Sequence, residues 1–366
     1  MADDVLTVFL GGDVMLGRGV DQILPHPGDP ALWEAWVRDA RTYVQLAEAM
    51  NGPIPAPVAF DWPWGDALAL FDRFAPDVRL VNLETSVTAR GHAVPGKAVH
   101  YRMNPANHPA LIAGEPDVCS LANNHILDFG VEGLSETLEV LGRVGVRAVG
   151  AGRTTTEAVR PAVVPTTHGR VLVFAFGTTT SGVPIDWAAT DSRPGIALLP
   201  DLSRDTVSAV VDRIQALKRP GDIVVLSVHW GSNWGYDVPS SQRRFAHRVI
   251  DGGVDLVHGH SSHHLRPIEV YRDRLVLYGC GGLIDDYEGI AGYEHYRDDL
   301  RLLYFAGLEP TGRLADLRMG VMQAHRIRLR PAGPRDREWS CRTLDEVSRG
   351  YGTRVRVDDD GLLRLT

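Results

Sequence analysis

Cysteine is scarce: Cys119, Cys280 and Cys341 are the only three in 366 residues. They are odd in number and isolated, which excludes a disulfide framework and a Cys-x-x-Cys zinc site. Buried thiols in a reducing compartment are expected. No run approaches the roughly 20 apolar residues that a membrane span needs. Met1-Ala2-Asp3-Asp4 lacks the basic start and apolar stretch of a secretory signal, so a cytoplasmic protein is expected, without membrane partners. There is no basic block either, and the net charge is −8, which argues against nucleic acid. A Gly-x-Ser-x-Gly elbow is missing. Gly150-Ala151-Gly152 begins a dinucleotide fingerprint but lacks its third glycine, and Arg153 follows directly. No organic cofactor is expected.

What is present is an ordinary globular composition, 44% hydrophobic and 23% charged, in a chain long enough for a large core. Strand-like and helix-like stretches alternate from Leu6 to about Val257, the pattern of a layered α/β protein. Helices are expected at Pro105–Gly114, Val131–Val144, Ser203–Leu217 and Ser241–Gly252, with glycines near their ends. Trp33, Trp36, Val37, Ala40, Tyr43 and Val44 recur at helical spacing, so a helical insertion is expected over about 30–60. Trp62 and Trp64 follow it, as core residues or as a lip for an apolar substrate group. The expected organisation is one domain over 1–330, with a C-terminal extension over 331–366 packed on it.

Five segments with metal-binding residues sit where apolar runs end. They are Gly12-Asp13, Asn82-Leu83-Glu84, Asn123-Asn124-His125, His229-Trp230-Gly231 and the cluster from His258 to His264. Open α/β sheets bind ligands at the carboxyl ends of their strands, so these tips are expected to converge. Carboxylates, a carboxamide and several imidazoles at one crevice describe a site for one or two divalent ions. Four imidazoles in seven residues, His258, His260, His263 and His264, are costly to bury without a shared purpose. Asp128, three residues after His125, is placed to accept that imidazole's other N–H.

In this order the segments resemble the CapA family of poly-γ-glutamate capsule synthesis. The matching pieces are Gly12–Arg18, Asn82-Leu83-Glu84, Leu121–Gly130, His229-Trp230-Gly231 and Gly259–His263, within roughly residues 6–290. The resemblance implies a calcineurin-like metallophosphoesterase fold, a four-layer α/β/β/α sandwich. It also implies Asp13, Glu84, Asn124, His229, His260 and His263 as metal ligands, Glu84 as the bridge and His125 as the acid beside the ions. The chain departs from that pattern at Met15, where the wider superfamily has histidine, and at Gly279-Cys280-Gly281-Gly282, where relatives carry a polar residue.

CapA-like enzymes also occur beside lasso-peptide precursors, where one epimerises a C-terminal tryptophan, and the chain resembles that kind as well. The function expected on this basis is a cofactor-independent peptide epimerase that uses Mn, Ca, Mg or Zn and binds a precursor peptide. His125 and His295 would carry protons on opposite faces of Cα while cations hold the carboxylate. The alternatives are a metal-dependent phosphoesterase and an amide ligase or hydrolase acting on poly-γ-glutamate.

Overall fold

The computed structural model describes residues 5–366. Its first sheet runs, in spatial order, through Val355–Val357, Leu363–Leu365, Leu314–Ala324, Leu300–Leu308, Leu6–Val14, Val78–Leu83, Val118–Ser120 and Arg147–Val149. Gly282–Ile284 joins it beside Leu6–Val14. The second sheet runs through Leu198–Leu199, Gly169–Thr178, Ile223–His229, Leu256–His260, Arg274–Leu277 and Ile268–Tyr271, with Ala162–Thr166 on Gly169–Thr178. The strands that end in candidate ligands pair in parallel within each sheet, which sets their tips along one edge.

Alternation along these strands divides the apolar residues among three cores. Leu6, Val8, Leu10 and Leu80 face Val171, Val173, Val225 and Leu256 between the two sheets. Phe9, Val81, Leu83 and Cys119 turn the other way, toward Phe71, Leu111 and Leu134 of helices on the first sheet. Phe174, Val224, Leu226 and Val228 pack under Val210 and Ile214 of the Arg204–Gln215 helix and Phe245 and Val249 of the Ser240–Asp251 helix. Helix, sheet, sheet, helix is the expected four-layer sandwich. Among the described helices none is long and apolar enough to cross a membrane.

The helices at Gly130–Arg143, Arg204–Gln215 and Ser240–Asp251 fall where periodicity placed them, and Pro105–Gly114 shortens to a 3-10 turn and His108–Ile112. The insertion differs. Its helix is confined to Arg41–Asn51, and Trp33 and Trp36 precede it in irregular chain, Trp36 being 96% exposed. The tryptophan spacing therefore did not mark a helical face. Trp64 is fully buried with its indole N–H on Ala110 O at 2.7 Å, so it belongs to the core. At the other end, Leu363–Leu365 pairs with Leu314–Ala324, so the last strands extend the first sheet. Cys119 and Cys280 are buried free thiols, and Cys341 is a partly exposed one.

Candidate metal centre and its acid-base partner

Asp13 reaches the sheet edge because the two residues before it, Gly11 and Gly12, have no side chains. A Cβ at Gly12 would stand 1.8 Å from Gly281 O, so only glycine lets the two strands close there. The Asp13 N–H then donates to Gly281 O at 3.0 Å, and Asn82 Nδ2 donates to Asp13 Oδ1 at 2.8 Å. Ser261 sits opposite with φ +105°, a rare conformation for a side chain-bearing residue, and its backbone N–H points at the Asp13 carboxylate. Even so, burial pushes the Asp13 carboxyl up to about 7.

A relay of hydrogen bonds sets the imidazole tautomers. His258 Nε2 lies 2.8 Å from Gly11 O, which can only accept, so that nitrogen carries the proton. His258 Nδ1 then accepts from Ser227 Oγ at 3.1 Å, and Ser227 Oγ accepts from His260 Nε2 at 2.8 Å. His260 Nδ1 is left with a lone pair. On the neighbouring strand, His229 Nε2 donates to Asn124 Oδ1 at 3.0 Å, and His229 Nδ1 also keeps a lone pair. The two Nδ1 atoms face each other at 2.8 Å, with Asp13 Oδ1 4.0 Å from His260 Nδ1. Two lone pairs and a carboxylate oxygen aimed at one point repel unless a cation lies among them. Asp13, His229 and His260 thus fit a divalent ion through mixed oxygen and nitrogen donors.

Glu84 approaches the far side of the same imidazole, Oε1 to His229 Nε2 at 3.6 Å. Burial, and then the nearby Asp13, raise the Glu84 carboxyl well above its ordinary range. Burial first of all keeps His229 and His260 neutral, the form that binds metal. The structure therefore brings Asp13, Glu84, Asn124, His229 and His260 together. His263 lines the adjoining cavity of about 240 Å³ with Glu84, Asn124, His125, Ser261 and Tyr287. His264 Nδ1 is committed to Leu265 O at 2.7 Å, away from the donors.

His125 is held as a proton carrier. Its Nδ1 lies 2.7 Å from Asp128 Oδ2, and its ring stacks on Tyr101 at 3.8 Å between centroids. Lys97 forms an ion pair with the other Asp128 oxygen, and the Tyr101 hydroxyl meets that of Tyr287 at 2.9 Å. Burial, then the charges of Lys97 and Arg18, hold the imidazole neutral well below its usual range. Nδ1 has both Asp128 Oδ2 and, at 3.0 Å, Lys97 Nζ as partners, and in the tautomer that donates Nδ1–H to Asp128 the Nε2 atom is free to take a proton. His295 is not brought to this place. It is exposed on the Glu294–Tyr296 turn and does not line the cavity.

Lys97, Tyr101, Ser227 and Arg301 escaped sequence reasoning. Lys97 left one trace, being one of two lysines in a chain that otherwise uses arginine. Ser227 left none, since a serine in a buried strand has no signature. Gly282 stands in the turn where a polar residue was missing. A Cβ there would meet Arg301 Nη1 at 2.4 Å, so the space is filled by a guanidinium from another strand.

Comparison with known proteins agrees with the motifs. A probable polyglutamine synthesis accessory protein of Mycobacterium tuberculosis is 53% identical over 99% of this chain and 96% of its own length. The PGA biosynthesis protein CapA of Bacillus subtilis is 28% identical over 85% of this chain and 70% of its own length. Among solved structures, a 5'-nucleotidase precursor from Thermus thermophilus aligns with a TM-score of 0.49 at 15% identity, over 87% of this chain and 54% of that one. Residues 7–287 match the model of the bacterial capsule synthesis protein family PGA_cap, and the chain belongs to that family.

Proposed function

We propose that this chain is a metal-dependent hydrolase that cleaves amide bonds of a glutamate or glutamine polymer. The observation that carries the reading is the convergence of His229 Nδ1, His260 Nδ1 and Asp13 beside a cavity where His125 presents a neutral imidazole. The names of the relatives, polyglutamine synthesis and PGA biosynthesis, support the choice of polymer. Asp13, His229 and His260 would hold the ion, which supplies Lewis acidity when bound, and Glu84 and Asn124 lie against the other nitrogen of His229. His125 Nε2 takes a proton from the attacking water and returns it to the departing amine. Asp128 keeps the proton on Nδ1 and stabilises the imidazolium in between.

Epimerisation asks for more than this. It needs a second proton carrier facing His125 across Cα, and His295 lies outside the cavity. Tyr101 and Tyr287 do line it, but burial raises both phenols above their ordinary range, so neither is a ready base. Hydrolysis needs a single shuttle, and His125 provides it.

Metal-stripped protein reloaded with Mn²⁺ and given oligo-γ-glutamate, oligoglutamine and aryl phosphates should release new amine ends, and EDTA should stop it. His125→Asn should lower that rate by about 10²- to 10⁴-fold while metal still binds. Cleavage of the phosphates with intact amides would make the chain a phosphoesterase. Deuterium gained at Cα from D₂O, without cleavage, would reinstate the epimerase.

A further inference from the structure

Arg18 is 2% exposed and carries φ +45°, a backbone region that a long side chain rarely adopts. Such strain persists only where the surroundings over-determine it. Here they do. Arg18 Nε donates to Asp286 Oδ2 at 3.1 Å, Nη2 pairs with Asp286 Oδ1, and Nη1 donates to Glu34 Oε1 at 2.9 Å. The guanidinium carbon stands 3.8 Å from the ring centre of Tyr43, 4.7 Å from that of Tyr287 and 4.9 Å from that of Tyr101. Glu34 and Tyr43 belong to the insertion, and the Tyr43 hydroxyl donates to Glu34. The insertion thus clamps Arg18, and Arg18 supports Tyr101 and Tyr287.

Those two phenols line the cavity beside the candidate metal centre. Tyr101 stacks on His125, the proton carrier, and Tyr287 meets His263 edge-on at 6.2 Å. Their hydroxyls are 2.9 Å apart. One hydrogen bond between two hydroxyls spends one proton, and the other proton has no acceptor among the described residues. The cavity, at about 240 Å³, is smaller than the roughly 300–1,000 Å³ that holds a drug-sized ligand. An amide seated in it lies close to both hydroxyls.

We propose that the Tyr101–Tyr287 pair donates a hydrogen bond to the oxygen that turns negative during the reaction, and that Arg18 is its positioning residue. The inference rests on the proposed amide hydrolysis. As the water oxygen bonds to the carbonyl carbon, the π electrons move onto the carbonyl oxygen, and the unspent phenol O–H meets that oxygen. No proton leaves the phenol. When the C–N bond breaks, those electrons return to the carbonyl and the amine departs with the proton from His125. A donor fixed in advance needs no reorganisation at that moment, so it favours the transition state over the bound substrate.

The test separates kcat from KM on Mn²⁺-loaded protein with oligo-γ-glutamate and oligoglutamine. Tyr101→Phe together with Tyr287→Phe keeps both rings. It should lower kcat by about 10²- to 10³-fold and leave KM and Mn²⁺ affinity nearly unchanged. A phosphinate analogue of the amide bond, tetrahedral and anionic, should lose affinity for that double variant by a similar factor. Arg18→Lys keeps the charge but cannot hold Asp286, Glu34 and the rings together, and it should lower kcat as well. Added to the two phenylalanines it should cost nothing more, because it acts only through the hydroxyls. A double variant with wild-type kcat or wild-type phosphinate affinity overturns the donor, and it decides the matter even if Arg18→Lys does not fold. An additive loss from Arg18→Lys overturns the positioning role. Wild type that cleaves neither oligomer and binds no phosphinate overturns the amide reading and the donor with it, whereas cleavage that the double variant matches overturns the donor alone.

Discussion

Ser227 touches no expected substrate, yet it decides which nitrogen His260 offers. Its hydroxyl donates to His258 Nδ1 and accepts from His260 Nε2, so His260 Nδ1 stays bare. Ser227→Ala should weaken Mn²⁺ binding by about 10- to 100-fold, the usual effect of losing a partner that orients a ligand. An unchanged dissociation constant would mean that the backbone alone orients His260. A second consequence concerns His125, which must be unprotonated to accept a proton. Burial and then Lys97 hold its imidazole below the ordinary value of 6.5. Activity should therefore be constant at neutral pH and fall only as pH drops well beneath 6.5. Lys97→Met removes a positive neighbour, favours the imidazolium, and should move that acid limb upward in a pH profile of kcat. A limb that stays in place would show that Lys97 does not act on His125.

Elements matter here through the way they end. Leu6–Val14 runs beside Val78–Leu83 and Gly282–Ile284, and its tip is usable because Gly12 clears Gly281 O. Gly12→Ala puts a methyl into backbone that cannot retreat. It should cost about 1–3 kcal/mol of stability, the range for overpacking, and abolish Mn²⁺ binding by displacing Asp13. Chemical denaturation and calorimetry measure the two effects separately, and retained metal binding would mean that the tip can rearrange. The strand tips were legible because each joins an apolar run to ligand-type residues. The Pro30–Asp39 part of the insertion was misread because tryptophans at helical spacing there fold without a helix, Trp33 against His100 and Phe129 and Trp36 into solvent.

For the whole molecule, the centre couples the two halves of the sandwich. Asp13 comes from the first sheet, His229 and His260 from the second, so an ion bound by all three ties the sheets together. Binding to the folded chain alone should stabilise it by about 2.7 kcal/mol at a hundredfold excess over Kd. A thermal melt in EDTA should therefore lie below one in Mn²⁺. Coincident melts under saturating Mn²⁺ would mean that the ion does not bridge the native sheets.

The sequence by itself determined the class of fold, most of the helices that cover the sheets, and the strand tips at which ligand-type residues gather. Those features depend on local periodicity and on residue types at strand ends, which are written along the chain. It could not determine which nitrogen of each imidazole is bare, because that follows from Gly11 O, Ser227 and Asn124, far apart in the chain. Nor could it show that His295 stands apart from His125, or that Lys97 and Arg301 balance Asp128 and Asp285. Charge balance in a buried site is a property of distances between strands. Only the tertiary structure brings together side chains as distant in sequence as Asp285, Arg301 and Asp13.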